Sequence, residues 1–421
     1  MNIKFIDLFA GIGGIRKGLE NAIIESGNNP VCILTSEIKP HAVSVLKQNH
    51  PNESVLGNIY DIKSEDIPDF DILCAGFPCQ AFSYAGKRLG FQDERGVLFF
   101  QVKRILEHKK PKGFILENVE GLVTHDSRRT FARMLEELNK LNYTVSYKVL
   151  NSKDFSVPQD RKRVYIVGTY NGEKVNLEFG NKPKPKLKDV LEKGLPTEKS
   201  KFITLLLSKY KAEELYGKSI KDKRGGKDNI HSWDLEIKGK VTKEEKQLLD
   251  KILTERRKKK WAERYGIDWM DGMPLTKEFI EEFYQSKNLQ KMLDNLVSKG
   301  YLTLEHPKRK VLTPSVHREQ DLSLPLGYNI IAGKLSFDIN KILDPESVSP
   351  TLVSMDMNKI YVADCGGLRK LTLREGLRLF GYPDDYKFDV TQKQGFDLLG
   401  NTVVVPVIKE VATRLLIALN I

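Results

Sequence analysis

Cys79 is the residue from which chemistry is most directly read. It sits in Ala75-Gly-Phe-Pro-Cys79-Gln-Ala-Phe-Ser83, where Gly-Phe-Pro closes an apolar run and holds the thiol out on a fixed turn. A cysteine attacks only as an exposed, partly activated thiolate, and such a turn suits it. Taken alone it is equally readable as a small inert hydrophobe, the commoner role of a lone cysteine. Two later stretches offer partners. Glu117-Asn-Val119 begins where the apolar run Gly113–Leu116 ends, so its carboxyl projects at the strand ends where open α/β sheets bind ligands. Gln159-Asp-Arg-Lys-Arg163 precedes another apolar run and presents two guanidinium groups at alternate positions. Singly, each of these also reads as a salt-bridged surface group.

A second set of groups lies near the N-terminus. Phe5-Ile-Asp-Leu-Phe9-Ala-Gly11-Ile12-Gly13-Gly14 puts glycines between a strand and a helix. Glycine lets the backbone turn sharply and approach a ligand, and a helix start adds exposed N–H groups. The spacing is G-x-G-G and not G-x-G-x-x-G, which argues against a nicotinamide dinucleotide. Glu37 follows the second strand, where an acid can accept both ribose hydroxyls of an adenosine; a surface acid at a helix start is the plainer reading.

The elements that must position these groups follow from periodicity. Strands are expected at Lys4–Phe9, Val31–Ser36, Asp71–Ala75, Gly113–Leu116, Thr144–Leu150 and Arg163–Gly168. Helices fall between them, from about Ile15, Pro40, Val97 and Arg129. Such alternation predicts a doubly wound α/β domain. After Tyr170 comes a Pro/Lys-rich linker, NKPKPKLKD, and then charged helical sequence. Thr242-Lys-Glu-Glu245 has capping-box spacing and predicts a long helix through RRKKKWAERYG. Thr276 caps a second helix (Lys277–Gln285) and Asn288–Ser298 forms a third. The stretch YLTLEHPKRKVL then reads as a short basic hairpin, the layout of a winged helix over about 274–315. Val404–Leu419 is an apolar helix expected to pack back on the first domain.

Composition bounds the function. The chain has 421 residues, 40% of them hydrophobic, with 68 Lys+Arg against 56 Asp+Glu. That supports two or three folded domains and excludes wholesale disorder. No window approaches the roughly 18 apolar residues of a membrane span, and the N-terminus lacks a signal-peptide layout. Cys32, Cys74, Cys79 and Cys365 form no CxxC pair, which suits reduced thiols in the cytoplasm. Between Asn181 and Lys310 there are 32 Lys+Arg and 21 Asp+Glu, so nearly all of the net charge of +12 falls in one stretch. Such asymmetry suits contact with a polyanion, and a solvated lysine-rich insertion is the plainer alternative.

Taken in order, DLFAGIGG, Glu37, GFPCQAFS, ENVEGL, QDRKRVYIVG, RKLTLRE and GNTVVVPV resemble the bacterial DNA (cytosine-5)-methyltransferases of type II restriction–modification systems over almost the whole chain. The resemblance implies an α/β fold: a Rossmann-like S-adenosylmethionine-dependent methyltransferase domain with a smaller target-recognition domain inserted before the C-terminal motifs. The boundaries expected are 1–175 for the catalytic and cofactor-binding domain, 176–345 for the target-recognition domain, and 346–421 for a return segment and the helix packing on the catalytic domain.

In that family the cysteine attacks C6 of a cytosine and C5 takes the methyl group of S-adenosylmethionine. Loss of the C5 proton with β-elimination then frees the enzyme, leaving S-adenosylhomocysteine. The resemblance makes Cys79 the nucleophile and Glu117 the carboxyl at N3, which requires a raised pKa or a shared proton. Arg161 and Arg163 take positions that contact the base and orient the acid and the cysteine, and Asn118 positions neighbouring backbone. The base must leave the duplex stack to be reached. Gln80–Phe99, with Gly86, Gly90 and Gly96, resembles the mobile loop that closes on DNA, with Gln80, Ser83, Lys87, Arg88 and Arg95 in contact. For the cofactor, Phe9, Gly11, Ile12 and Gly13 line the methionine and adenine parts, Glu37 takes the ribose and Ile38 flanks the adenine. Asn58, Ile59, Pro78, Leu98, Asn401 and Val403 complete the pocket. Two positions depart from the family pattern: Asn58 stands where an aspartate is usual, removing a charge near the adenine, and Leu373 stands where a proline is common, at a helix start.

The basic stretch falls where this family carries its target-recognition domain, so a two-lobed monomer holding double-stranded DNA is expected. It needs no metal or membrane, and it pairs functionally, without physical contact, with a restriction endonuclease. Base readers would come from Arg224, Asn229, His231, Arg256, Arg257, Asn288 and Lys291, with Arg256 and Arg257 also facing phosphate. Two rivals are an RNA cytosine-5 methyltransferase, disfavoured by the long basic domain, and a catalytically silent DNA-binding protein, disfavoured by the intact Cys79, Glu117, Arg161 and Arg163.

Overall fold

The structure, a computed structural model, describes residues 1–78, 97–222, 229–312, 316–331 and 337–421. Cys79, Gln80, Ser83, Lys87, Arg88, Arg95 and Arg224 lie outside the described residues. The chain forms two compact units. The first comprises Met1–Gly194, Asp344–Asn358 and Lys370–Ile421, the second Leu195–Leu343 and Lys359–Arg369. The first unit thus runs past residue 175. The Pro/Lys-rich stretch docks on it through the buried Leu187 and the ion pairs Lys182–Glu410 and Lys186–Glu346, 2.7 and 2.8 Å. The return segment is also divided, because residues 360–361 pair with Lys341–Ile342 as strands of the second unit.

The first unit contains β1 (Asn2–Leu8), α1 (Gly14–Glu25), β2 (Asn29–Ser36), α2 (Pro40–Asn49), β3 (Val55–Leu56), β4 (Ile72–Ala75), α3 (Val97–Lys109), β5 (Gly113–Val119), α4 (Arg129–Lys140), β6 (Tyr143–Asn151) and β7 (Lys162–Tyr170). The sheet order is β3-β2-β1-β4-β5-β7-β6, with β7 antiparallel to both neighbours. Strands covered on both faces read as continuous apolar runs, and this is why Ile72–Ala75 and Gly113–Leu116 carry no polar alternation. Phe114 and Leu116 point to one face, where Val102 and Leu106 of α3 and Phe131, Met134 and Leu138 of α4 cover them. Gly113, Ile115 and Glu117 belong to the other face. There a Cβ on Gly113 would stand 3.0 Å from Leu415 of the helix Val405–Ala418. The same helix packs against α1 so closely that a Cβ on Gly18 would lie 2.5 Å from Ile408. Between β1 and β4 the order of connection reverses, the place where open α/β sheets form their ligand crevice.

The second unit contains α5 (Lys243–Glu255), α6 (Lys277–Glu281), α7 (Leu289–Ser298), β8 (Leu302–Glu305), β9 (Lys308–Leu312), β10 (Val316–Gln320) and β11 (Gly327–Ile330). The capping box forms as its spacing predicts: the Glu245 N–H donates to Thr242 Oγ1 (3.1 Å) and the Thr242 N–H to Glu245 (2.8 Å). Two expectations fail. The helix does not continue through RRKKKWAERYG but ends at Glu255, because Arg256 turns inward and Trp261 and Ala262 are buried in a separate turn. Nor do β8 and β9 form a hairpin: β8 pairs with β11 and β9 with β10. Pro307 stands between them, with no N–H to give a ladder and a restricted residue before it. A second small core gathers Ile203, Leu206, Ile220, Ile342 and Leu368. Among the described residues no helix is long and apolar enough to cross a membrane.

Candidate active site

β4 and β5 run side by side with Cys74 opposite Ile115 and Ala75 opposite Leu116. The residue after β4 therefore lies beside Glu117, and a Cβ on Gly76 would stand 3.9 Å from Glu117 Oε2. Phe77 is buried and Pro78, the last described residue before Cys79, is exposed. Asn118 fixes this turn from below. Its Nδ2 donates to the Phe77 carbonyl (3.0 Å), while its Oδ1 accepts from the Val119 N–H (2.9 Å).

The pairing of β5 with β7 sets Glu117 opposite Tyr165 and Val119 opposite Arg163. Glu117 and Arg163 are then diagonal neighbours on one face, and Arg163 Nε lies 3.2 Å from Glu117 Oε1. Glu117 is 8% exposed. Burial raises its pKa above the ordinary carboxyl value, and the nearby charges of Arg163 and Arg161 offset this only in part. The result is a carboxyl able to hold a proton at a strand end.

Arg161 does something else. It is 3% exposed and its Nη1 donates to the Leu352 carbonyl (3.0 Å). Its Nη2 donates to the carbonyls of Gly400 and Thr402 (3.3 and 2.8 Å), and the guanidinium lies over the Phe380 ring. An open contact to a base, as expected for this side chain, does not suit so enclosed a group. It anchors the segments around 352 and 400–402.

Thr402 and Val403 of the second segment lie against the Cβ position of Gly14, beside the glycine turn. At the end of β1, Phe9, Gly11 and Gly13 have φ of 56°, 56° and 72°. A left-handed phenylalanine is uncommon, so the turn is held under strain by its surroundings. Nothing lies within 4 Å of a Cβ built on Gly11, which leaves an open cradle. Glu37 closes it: Oε2 accepts from the Gly11 N–H (2.7 Å) and Oε1 from the N–H groups of Ile38 and Lys39 (2.8 Å each). Ile38 is 70% exposed, an apolar side chain beside a fixed carboxylate. Lys39 Nζ and His41 Nε2 reach Asp397 Oδ2 (2.8 and 3.1 Å), and Asn401 Nδ2 donates to the Asp397 carbonyl (2.7 Å). The structure thereby brings Glu37, Ile38 and Asn401 together. Asn58 is exposed and its Oδ1 accepts from the Tyr60 N–H (3.2 Å), a cap an aspartate would also provide. Leu98 and Phe9 are half-buried against the core. Val403 is buried, and it touches the Cβ position of Gly14. Ile12 and Ile59 are buried core residues and do not face a ligand as expected.

One residue of this region escaped the reading of the sequence. Asp7 is fully buried in β1, neither carboxylate oxygen has a hydrogen-bond partner among the described residues, and burial pushes its pKa up to about 8. An acid inside an otherwise apolar buried strand was the available signal.

In the second unit the proposed DNA contacts separate. Arg256 is 7% exposed and donates to Asn329 Oδ1 and the Ile330 carbonyl, so it is a core clamp and not a phosphate contact. Arg257 is exposed and pairs with Asp271 at 3.0 Å. His231 is buried and stacked on Trp233, with ring centroids 4.4 Å apart, which removes it from the readers, while Asn229 is half-buried.

Comparison with known proteins gives the same direction. The family model for C-5 cytosine-specific DNA methylases matches residues 3–416. The chain is 63% identical to the type II methyltransferase M.NlaIV of Neisseria lactamica, covering 98% of this chain and 99% of the relative. It is 62% identical, with the same coverage, to M.NgoBV of Neisseria gonorrhoeae. In fold it is similar to the S. pombe Dnmt2 methyltransferase, with TM-score 0.55, 17% identity and full coverage of both chains. It is likewise similar to Entamoeba histolytica EhMeth, with TM-score 0.56, 16% identity and 99% and 98% coverage. The family match over residues 3–416 and the near full-length likeness to type II enzymes place this chain in the C-5 cytosine-specific DNA methylase family, as a DNA (cytosine-5)-methyltransferase.

Proposed function

We propose that Cys79 adds to C6 of a cytosine swung out of duplex DNA, while Glu117 holds the proton shared with N3. Cytosine is a poor electrophile, so addition at C6 needs positive character at N3. The S–C6 bond forms as the ring electrons move toward C5 and the N3 side, which makes C5 nucleophilic. Arg163 braces Glu117, and Asn118 holds the backbone that presents the thiol. After C5 is methylated, loss of the C5 proton and cleavage of S–C6 return the thiolate and an aromatic ring. The observation that carries this reading is Glu117 at the end of β5, buried so that its pKa is raised, beside the turn that leads to Cys79.

The residues around the glycine turn fit an adenosine. Gly11 leaves room, the Glu37 carboxylate is fixed by backbone N–H groups beside it, and Ile38 offers an apolar face. S-adenosylmethionine bound there would supply the methyl group. Phe9, Gly13, Asn58, Leu98, Asn401 and Val403 would border it, with Pro78 between it and the thiol. The second unit would select the DNA sequence, and the product would be host DNA protected from a cognate endonuclease, with the enzyme acting as a monomer in the cytoplasm.

The test is methyl transfer to duplex DNA, followed by bisulfite sequencing of DNA from cells expressing the protein. Cytosines protected in one short sequence, and none with Cys79→Ala, are expected. Wild-type protection in that variant would refute the mechanism.

A further inference from the structure

Residues 243–330 of the second unit follow a definite order: α5, a single bridge between Leu275 and Tyr328, α6, α7, β8, the β9–β10 hairpin and β11. Leu275 lies beside β11 and β11 beside β8, so three segments line up as a small antiparallel sheet. One core joins that sheet to the helices through Ile252, Ile280, Leu293, Leu296, Leu302 and Tyr328. Helix, strand, helix, helix, strand, wing, strand is the arrangement of a winged helix, a form of helix-turn-helix whose last helix enters the major groove.

The two parts that would meet a duplex carry suitable side chains. α7 buries Met292, Leu293 and Leu296, while Asn288, Lys291 and Asp294 face outward. Gln290 Nε2 holds Asp294 at 2.9 Å, and Lys291 has no charged partner among the described residues. In the hairpin, Lys310 stands directly opposite Arg318. Like charges in that relation repel. Lys310 is relieved by Asp268 at 3.1 Å, but among the described residues Arg318 reaches only the carbonyls of Lys308 and Trp269. A phosphate between the two cations would relieve what the fold leaves unresolved.

We propose that residues 243–330 form a winged-helix module that reads duplex DNA, with Asn288 and Lys291 of α7 at base edges and Lys310 and Arg318 of the hairpin on a phosphate. This rests on the DNA-methylating reading given above. The experiment uses the full-length protein and a library of duplexes varied around the methylated site. Asn288→Ala and Lys291→Ala should keep the wild-type melting temperature. Each should lower methylation of the preferred site by about 10- to 100-fold, the size of one lost base contact, and relax the choice at one position. Lys310→Ala and Arg318→Ala should weaken binding to every duplex alike, each lowering the slope of log K against log salt by about 1. Folded α7 variants with wild-type rate and preference would overturn the assignment of α7. Hairpin variants with an unchanged salt slope would overturn that of the hairpin. A wild-type protein that methylates no duplex would instead overturn the enzymatic reading itself.

Discussion

Arg161 in the first unit and Arg256 in the second are both buried, and the two serve different ends. Arg161 ties the carbonyls of Leu352, Gly400 and Thr402 together close to Glu117 and the residues around Asn401. Arg256 ties Asn329 and Ile330 inside the core of the second unit. Burial lowers the pKa of both, and carbonyl and amide oxygens accept from their terminal nitrogens. The lesson concerns charge in sequences. Among the described residues each unit buries two arginines and leaves most of its cations at the surface, so net charge does not foretell which cation braces a site, as Arg161 does, and which ties only a core, as Arg256 does.

That contrast is open to test, beginning with the largest effect. Glu117→Gln should slow methyl transfer by roughly 10²–10⁴-fold without unfolding the protein, as for a lost general acid, measured as single-turnover rates. In the wild type the same rate should fall as pH rises through the raised pKa of Glu117, since the proton it holds is then lost. Arg161→Ala and Arg256→Ala should each cost about 3–5 kcal/mol in denaturant unfolding, because acceptors are left buried and unpaired. Only Arg161→Ala should also depress the rate of the molecules that remain folded; equal loss of rate in both would erase the distinction. Asp7→Asn probes the same unit through pH. Because the folded state binds the Asp7 proton more tightly than the unfolded chain, the contribution of Asp7 to stability is greatest below the ordinary value of 3.8 and is lost as pH rises toward about 8. The slope approaches roughly 1.4 kcal/mol per pH unit for one proton, and Asp7→Asn should flatten it in urea titrations. Arg257→Ala, which breaks an exposed pair with Asp271, should change stability by about 1 kcal/mol or less.

Much of the first unit was legible because its strands are buried on both faces and its turns are marked by glycine. The expected strand at Asp71–Ala75 forms over Ile72–Ala75, and the expected helix from Arg129 forms over Arg129–Lys140. That Arg163 orients Glu117 was implied by the family resemblance alone, and the pairing of their strands brings the two side chains to 3.2 Å. What Arg161 holds could not be read, since its acceptors lie about 190 and 240 positions away along the chain. The same limit hid the pairing of β8 with β11 across the intervening hairpin. Arg256 looked like one of five consecutive cations, and only the packing of Trp261 and the amide of Asn329 distinguishes it from Arg257.

The most direct measurement is covalent capture on duplex DNA carrying 5-fluorocytosine at the methylated position, in the presence of S-adenosylmethionine. Fluorine at C5 cannot leave as a proton does, so the S–C6 bond should persist and the protein–DNA adduct should survive denaturing electrophoresis. It should be absent with Cys79→Ser and strongly slowed with Glu117→Gln. An adduct of undiminished yield in Cys79→Ser, or none in a wild-type protein that methylates ordinary duplex DNA, would contradict attack by this thiol.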